Sequence, residues 1–172
     1  MKTYDNIVFR EALSADIDAI AELEKVCFKD PWSRAAIRDE IDKNPMSLYM
    51  VAEDTDIKQV IGYAGLWQIF DEGNITNIAV DPKRRREGIG DRLVGELVRN
   101  SMERGMISFT LEVRVSNSPA ISLYERHGFE IAGIRPGYYG DGEDAYIMWL
   151  YTEERIINER RKIHHAGGGV QL

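Results

Sequence analysis

The stretch Asn74-Ile-Thr-Asn-Ile-Ala-Val-Asp-Pro-Lys-Arg-Arg-Arg-Glu-Gly-Ile-Gly-Asp-Arg-Leu93 decides the fold. Ile75, Ile78 and Val80 among small residues predict a strand. Pro82 ends it, because proline has no N–H to give to a ladder. Four cations follow, Lys83, Arg84, Arg85 and Arg86. Gly88 and Gly90 then lead into Ile89, Leu93 and Leu97 with Val94, Val98 and Met102, the period of an amphipathic helix. The predicted order is strand, basic glycine loop, helix. A helix N-terminus presents free N–H groups and the positive end of its dipole, and glycine lets an anion approach the backbone closely. The loop is therefore predicted to hold an anion, most simply a diphosphate.

Outward from this stretch, residues 7–10 predict a first strand. Ser14 is placed to cap a helix carrying Ile17, Ile20, Ala21, Glu24 and Cys27. Pro31 breaks that helix, and Ser33 is placed to cap another with Ile37 and Ile41. Residues 48–53 and 59–69 read as an antiparallel pair around a turn at 54–58. Beyond the long helix, Gly105 fits a C-terminal cap. Residues 107–114 alternate, with Ile107, Phe109, Leu111 and Val113 on one face and Ser108, Thr110, Glu112 and Arg114 on the other. Asn117 and Pro119 open a helix that ends at Gly128. Residues 129–134 and 145–151 read as a hairpin across the turn 136–144. Strands on either side of helices make the chain α/β with a mixed sheet. Residues 1–151 are expected to be one domain. Residues 152–172 form an extension, a polar surface helix followed by Gly167-Gly168-Gly169, expected to be disordered.

With 172 residues the chain is long enough for one domain burying about 70% of its unfolded surface. Its net charge of -7 argues against nucleic acid as the main partner and favours a basic acceptor. The early charges Lys2, Asp5, Arg10 and Glu11 leave no secretory signal, and no apolar run approaches the ~20 residues that span a bilayer. A cytoplasmic protein without membrane contact is expected, as a monomer or weak dimer. The single cysteine, Cys27, excludes a disulfide framework and falls in an apolar helix pattern, so it reads as a buried small hydrophobe rather than a nucleophile. No metal site is expected, since His127, His164 and His165 lack a ligand spacing.

Which diphosphate is bound follows from the glycines. A dinucleotide fingerprint needs a third glycine where Leu93 stands, and a nucleotide-hydrolase phosphate loop needs a Gly-Lys-Ser/Thr ending that is absent. Arg85-x-x-Gly88-x-Gly90, after Val80-Asp81-Pro82, resembles the acetyl-CoA-binding motif of the GCN5-related N-acetyltransferase (GNAT) family. Acetyl transfer from a thioester to an amine needs a base for the amine, donors for the oxyanion and a proton for the leaving thiolate. Glu112, near the end of a central strand, is the candidate base; its alternative is an ion pair with Arg114. Tyr124 is the candidate acid; its alternative is a core tyrosine. Backbone N–H groups at residues 78–80 can hold the oxyanion if that strand bulges and leaves its edge unpaired.

Longer motifs narrow the resemblance. Leu111-Glu112-Val113-Arg114-Val115-Ser116-Asn117 and Ala120-Ile121-x-Leu123-Tyr124-Glu125-x-x-Gly128-Phe129 resemble the ribosomal-protein-alanine branch of that family. So do Phe28-x-x-Pro31-Trp32-Ser33, Thr76-Asn77-Ile78-Ala79-Val80 and Arg135-x-x-Tyr138-Tyr139 with Gly142-Glu143-Asp144-Ala145. The resemblance covers about residues 5 to 150. It implies a mixed, mostly antiparallel sheet of six to seven strands with about four helices, splayed between strands 4 and 5. It gives Glu112 the role of base and Tyr124 that of acid. Acetyl-CoA is then held by Ile78, Ala79, Val80, Arg85, Arg86, Glu87, Gly88, Ile89, Gly90, Asp91 and Asn117. The implied acceptor is the N-terminal alanine of a small-subunit ribosomal protein. Trp32, Tyr138 and Tyr139 fit the acceptor groove, and Asp141, Glu143 and Asp144 are placed to attract a basic peptide. Pro136-Gly137 departs from the family's acceptor-side turn, and the extension after residue 151 has no family counterpart. The alternatives are acetylation of lysine side chains or a small amine, and a non-catalytic acetyl-CoA sensor, against which Glu112 and Tyr124 both argue.

Overall fold

The computed structural model describes residues 5–166. Seven strands form a sheet in the order β1-β2-β3-β4-β5-β7-β6. They are β1 (Ile7–Glu11), β2 (Ser47–Asp54), β3 (Gln59–Ile69), β4 (Glu72–Val80), β5 (Ser108–Arg114), β6 (Glu130–Arg135) and β7 (Ala145–Tyr151). The helices are α1 (Ile17–Cys27), α2 (Arg34–Asp42), α3 (Ile89–Glu103), α4 (Ser118–Arg126) and α5 (Glu153–Ala166). Only β4 and β5 run parallel. Among the described residues, four α-helices accompany the sheet as expected, and the extension after residue 151 contributes the helix α5. The Gly167-Gly168-Gly169 expectation lies outside the described residues.

The sheet is buried on both faces, and the two-residue period of β2 shows how. Leu48, Met50 and Ala52 face one cluster with Leu93, Val94 and Leu97 of α3; Tyr49 and Val51 face the other with Ile17, Ile20 and Ile37 of α1 and α2. Gly62 sets how closely α3 lies on the sheet. A Cβ there would come 3.0 Å from the Ala79 carbonyl oxygen and 3.1 Å from Leu93 Cδ1.

Several local expectations hold. Ser33 caps α2 by accepting from the Ala36 N–H, and Asn117 caps α4 by accepting from the Ala120 N–H. Gly105 follows α3 at φ +89°. Ser14 does not cap α1. It lies in a short 3-10 turn, its hydroxyl donates to Asp42, and Asp16 instead accepts from the Leu13 N–H at 2.7 Å.

The feature that makes a site is the parting of β4 from β5. The two strands pair only from Glu72↔Ser108 to Ile75↔Leu111. On its other side β4 pairs with β3, and there Gly65 faces Asn77 while Leu66 faces Ile75. Thr76 is the extra residue of a bulge, which bends a strand and increases its twist. Beyond the bulge, β5 stays with β7 as far as Arg114↔Ala145. The edge of β4 from Asn77 to Val80 is therefore unpaired toward β5, as the bulged strand with a free edge requires.

Candidate active site

The basic loop leaves β4 at Asp81, whose carboxylate accepts from the Lys83 N–H at 2.9 Å. Its four cations do different work. The Arg84 guanidinium is engaged by two carboxylates at the edge of the opening. It donates at 2.7 Å to Asp54, which is 4% exposed, and at 3.0 Å to Glu87. Asp54 also accepts from the Asp56 N–H, so this pair anchors the loop to the β2–β3 turn. Arg85 donates to the Val80 carbonyl at 3.3 Å. Arg86 and Gly88 both have positive φ, +68° and +87°. Gly88 is the N-cap of α3, so the backbone turns through a left-handed position just where the helix N–H groups emerge.

A cleft of about 890 Å³ follows this loop into the opening beside β4. Of the predicted cofactor residues, Ile78, Ala79, Val80, Arg85, Arg86, Gly88, Ile89, Gly90, Asp91 and Asn117 line it. Glu87 does not; its carboxylate faces Arg84. A Cβ on Gly90 would meet Val80 and Leu123 at 3.7 Å, an ordinary van der Waals contact. Ser118, Ala120, Leu123 and Tyr124 of α4 close the far side. Missed in the sequence were Arg84, Cys27 and Phe28, which also line the cleft. Cys27 is half-buried at this wall rather than a core residue, with its thiol 3.6 Å from Arg85 Nη2 and pushed up by burial. A thiol held protonated is a poor nucleophile.

Tyr124 is 9% exposed, packs against Phe129 at 5.8 Å between ring centroids, and has its hydroxyl held above the ordinary phenol range by burial. It remains a proton donor at any physiological pH. Glu112 lies on β5 opposite Ile147, its side chain 14% exposed. The ion pair with Arg114 does not form. Glu112 meets Arg135 of β6 at 3.2 Å, and Arg114 reaches instead to Asp141 at 2.9 Å and Glu143 at 2.8 Å.

The predicted acceptor residues gather in two places. Tyr138 and Tyr139 pack edge to face at 5.1 Å, with the Arg135 guanidinium 5.6 Å from the Tyr138 ring and that of Arg114 4.0 Å from the Tyr139 ring. Burial pushes the Tyr139 phenol up to about 12 against the pull of Arg114. Burial and Glu112 raise Tyr138. Trp32 stands in the α1–α2 connection, 6.1 Å from the Trp67 ring. Connection and turn meet where Lys29 Nζ lies 3.9 Å from Asp141. The acidic residues of the turn have partners within the protein. Asp141 and Glu143 are held by Arg114, Glu143 also by Ser116, and Asp144 accepts from the Gly137 N–H at 2.8 Å. These contacts shape the turn.

The site thus has two sides. Toward α3 and α4 lie a basic glycine loop, a free strand edge and a protonated phenol. Toward the β6–β7 turn lie a carboxylate and aromatic side chains. One side suits a phosphorylated thioester, the other an amine.

The chain is similar to known proteins. The family model described as acetyltransferase (GNAT) family matches residues 17–129. A Bacillus subtilis protein is 40% identical over 140 residues, 81% of this chain and 91% of that protein. The [ribosomal protein bS18]-alanine N-acetyltransferase of Escherichia coli is 36% identical over 140 residues, 80% of this chain and 92% of that protein. The crystal structure of the ribosomal-protein-S18-alanine N-acetyltransferase from Escherichia coli superposes with a TM-score of 0.76 at 33% identity, over 84% of this chain and 93% of that one. By the span of the family model and the identity to these relatives, the chain belongs to the acetyltransferase (GNAT) family.

Proposed function

We propose that this protein transfers an acetyl group from acetyl-CoA to the N-terminal α-amine of a protein, the N-terminal alanine of a small-subunit ribosomal protein being its acceptor. The observation that carries this is the opening between β4 and β5, lined by the glycine loop and Tyr124; Glu112 on β5, close enough to Tyr138 and Tyr139 to act on both phenols, supports it. The names of the full-length relatives supply the acceptor.

Acetyl-CoA supplies an activated acyl group on a thiol leaving group. Arg86 and Gly88, with the N-terminal N–H groups of α3, receive the diphosphate, and the free edge of β4 from Asn77 to Val80 runs beside the pantetheine arm. N–H groups on that edge donate to the carbonyl oxygen as it becomes an oxyanion. An α-amine of pKa about 8 is largely protonated at neutral pH. Glu112 takes its proton, directly or through a water. The free amine attacks the thioester carbon, the C–S bond breaks, the Tyr124 hydroxyl donates a proton to the departing thiolate, and the second proton lost by the amine nitrogen as the amide forms restores the phenol. Tyr138 and Tyr139 flank the extended acceptor, and the narrow aromatic groove admits a small first side chain.

Acetyl transfer to an Ala-initiated peptide, beside a lysine peptide and a polyamine, tests the assignment. Turnover of the first far above the others is expected. Preferred turnover of the lysine peptide or the polyamine would replace the acceptor, and acetyl-CoA binding without turnover of any amine would replace catalysis by sensing.

A further inference from the structure

Glu24 lies on α1 and is 1% exposed. Its Oε1 accepts from Asn77 Nδ2 at 2.6 Å and from the Tyr63 hydroxyl, and its Oε2 accepts from the Trp32 N–H at 2.8 Å. Asn77 Nδ2 also lies 3.4 Å from the Tyr63 oxygen. One carboxylate thus joins four segments: α1, β3, the first residue of β4 beyond the Thr76 bulge, and the connection that carries Trp32. A buried ion is a poor stabiliser, since apolar residues of similar volume often do as well, and its retention is better explained by the geometry it fixes. The geometry here is specific. Asn77 begins the free edge of β4 along which the donor lies, and Trp32 belongs to the acceptor wall.

We propose that Glu24 is a positioning residue that fixes the acceptor wall at Trp32 to the donor-binding edge of β4 at Asn77. The inference rests on the acyl-transfer assignment above. Glu24 touches neither substrate; all its donors belong to the protein. It acts by holding one wall in register with the strand that carries the acyl group. Without it the Trp32 N–H loses its acceptor and the connection moves relative to β4, while the glycine loop, anchored separately through Arg84 and Asp54, stays in place.

Glu24→Ala and Glu24→Gln separate positioning from simple support. The amide keeps the shape. Its oxygen can accept from Trp32, its NH₂ can donate to Tyr63, and a turned Asn77 can accept from it. Loss of a hydrogen bond to a charged group predicts that Glu24→Ala raises the peptide KM by about tenfold or more. The acetyl-CoA Kd should stay within about twofold of wild type, and Glu24→Gln should restore most of the peptide KM. Asn77→Ala, at a half-exposed position, should shift the peptide KM in the same direction, and it carries the test if Glu24→Ala does not fold. Equal losses in acetyl-CoA and peptide affinity, no change in peptide KM, or no rescue by glutamine would overturn the inference while wild-type turnover left the acyl-transfer assignment standing. If wild-type protein acetylates no α-amine, both fall together.

Discussion

Gly88→Val perturbs the donor loop at the point its geometry makes most sensitive. Gly88 caps α3 at φ +87°, ψ 10°. A side chain with a Cβ in the left-handed region costs about 1–2 kcal/mol, and a β-branched one is the worst case. For a chain of this length about 2–4 °C is lost per kcal/mol, so the melting temperature should fall by about 2–8 °C with the fold intact. The effect on binding is larger. In the proposed complex the added side chain would stand where the diphosphate meets the helix N–H groups. Losing one or two hydrogen bonds to a charged group, about 1.5–3 kcal/mol each, weakens acetyl-CoA by roughly ten- to several-hundredfold or more. Titration calorimetry reads this directly, with thermal unfolding as the control. A lowered melting temperature with an unchanged acetyl-CoA Kd would refute the assignment of the loop to the diphosphate.

Glu112→Gln should lower kcat by about 10²–10⁴, recovering in part as pH rises and the amine loses its proton unaided; an unchanged pH–rate profile would make the carboxylate structural. Tyr124→Phe should lower kcat and leave acetyl-CoA affinity nearly unchanged; a variant that mainly loses affinity or melts assigns the hydroxyl to anchoring. Arg114 holds Asp141 below the usual carboxylate range, and Ser116 and Arg114 hold Glu143 there. Folded values below the unfolded ones, about 3.9 and 4.3, place this stabilisation above those pH values, and it is lost as pH falls through the folded ones. Protection factors of amides in the β6–β7 turn should therefore fall below about pH 4, and Arg114→Ala should remove the part due to Asp141 while Ser116 still holds Glu143.

Much of this fold is written in local chemistry. Pro82 after a small-residue strand, Asn117 before Pro119, and the alternation of residues 107–114 each mark an element boundary or face through forces acting over a few residues. The strand order is not local. β7 sits between β5 and β6, and β4 meets β5 only as far as Ile75; both depend on pairings tens of residues apart. Charges were the least legible. Glu112 and Arg114 are two apart on one strand, yet Arg114 lies over the Tyr139 ring toward the turn, and Glu112 finds Arg135 on another strand. The acidic turn read as a lure for a basic peptide; three-dimensional proximity to Arg114, Ser116 and Gly137 also gives it internal partners that no local pattern names. Glu24 left a usable signal. A carboxylate in the stripe Ile17, Ile20, Ala21, Glu24 falls on a buried face and requires donors, though nothing in the sequence names Asn77, Tyr63 and Trp32 as those donors.

Unacetylated, Ala-initiated small-subunit ribosomal protein incubated with this enzyme and acetyl-CoA, then mapped by mass spectrometry, tests the central claim most directly. The acetyl group should appear on the α-amine, and blocking that amine should abolish transfer even with every lysine free. Acetyl groups on lysine side chains, or an unmodified α-amine while CoA accumulates, would contradict it.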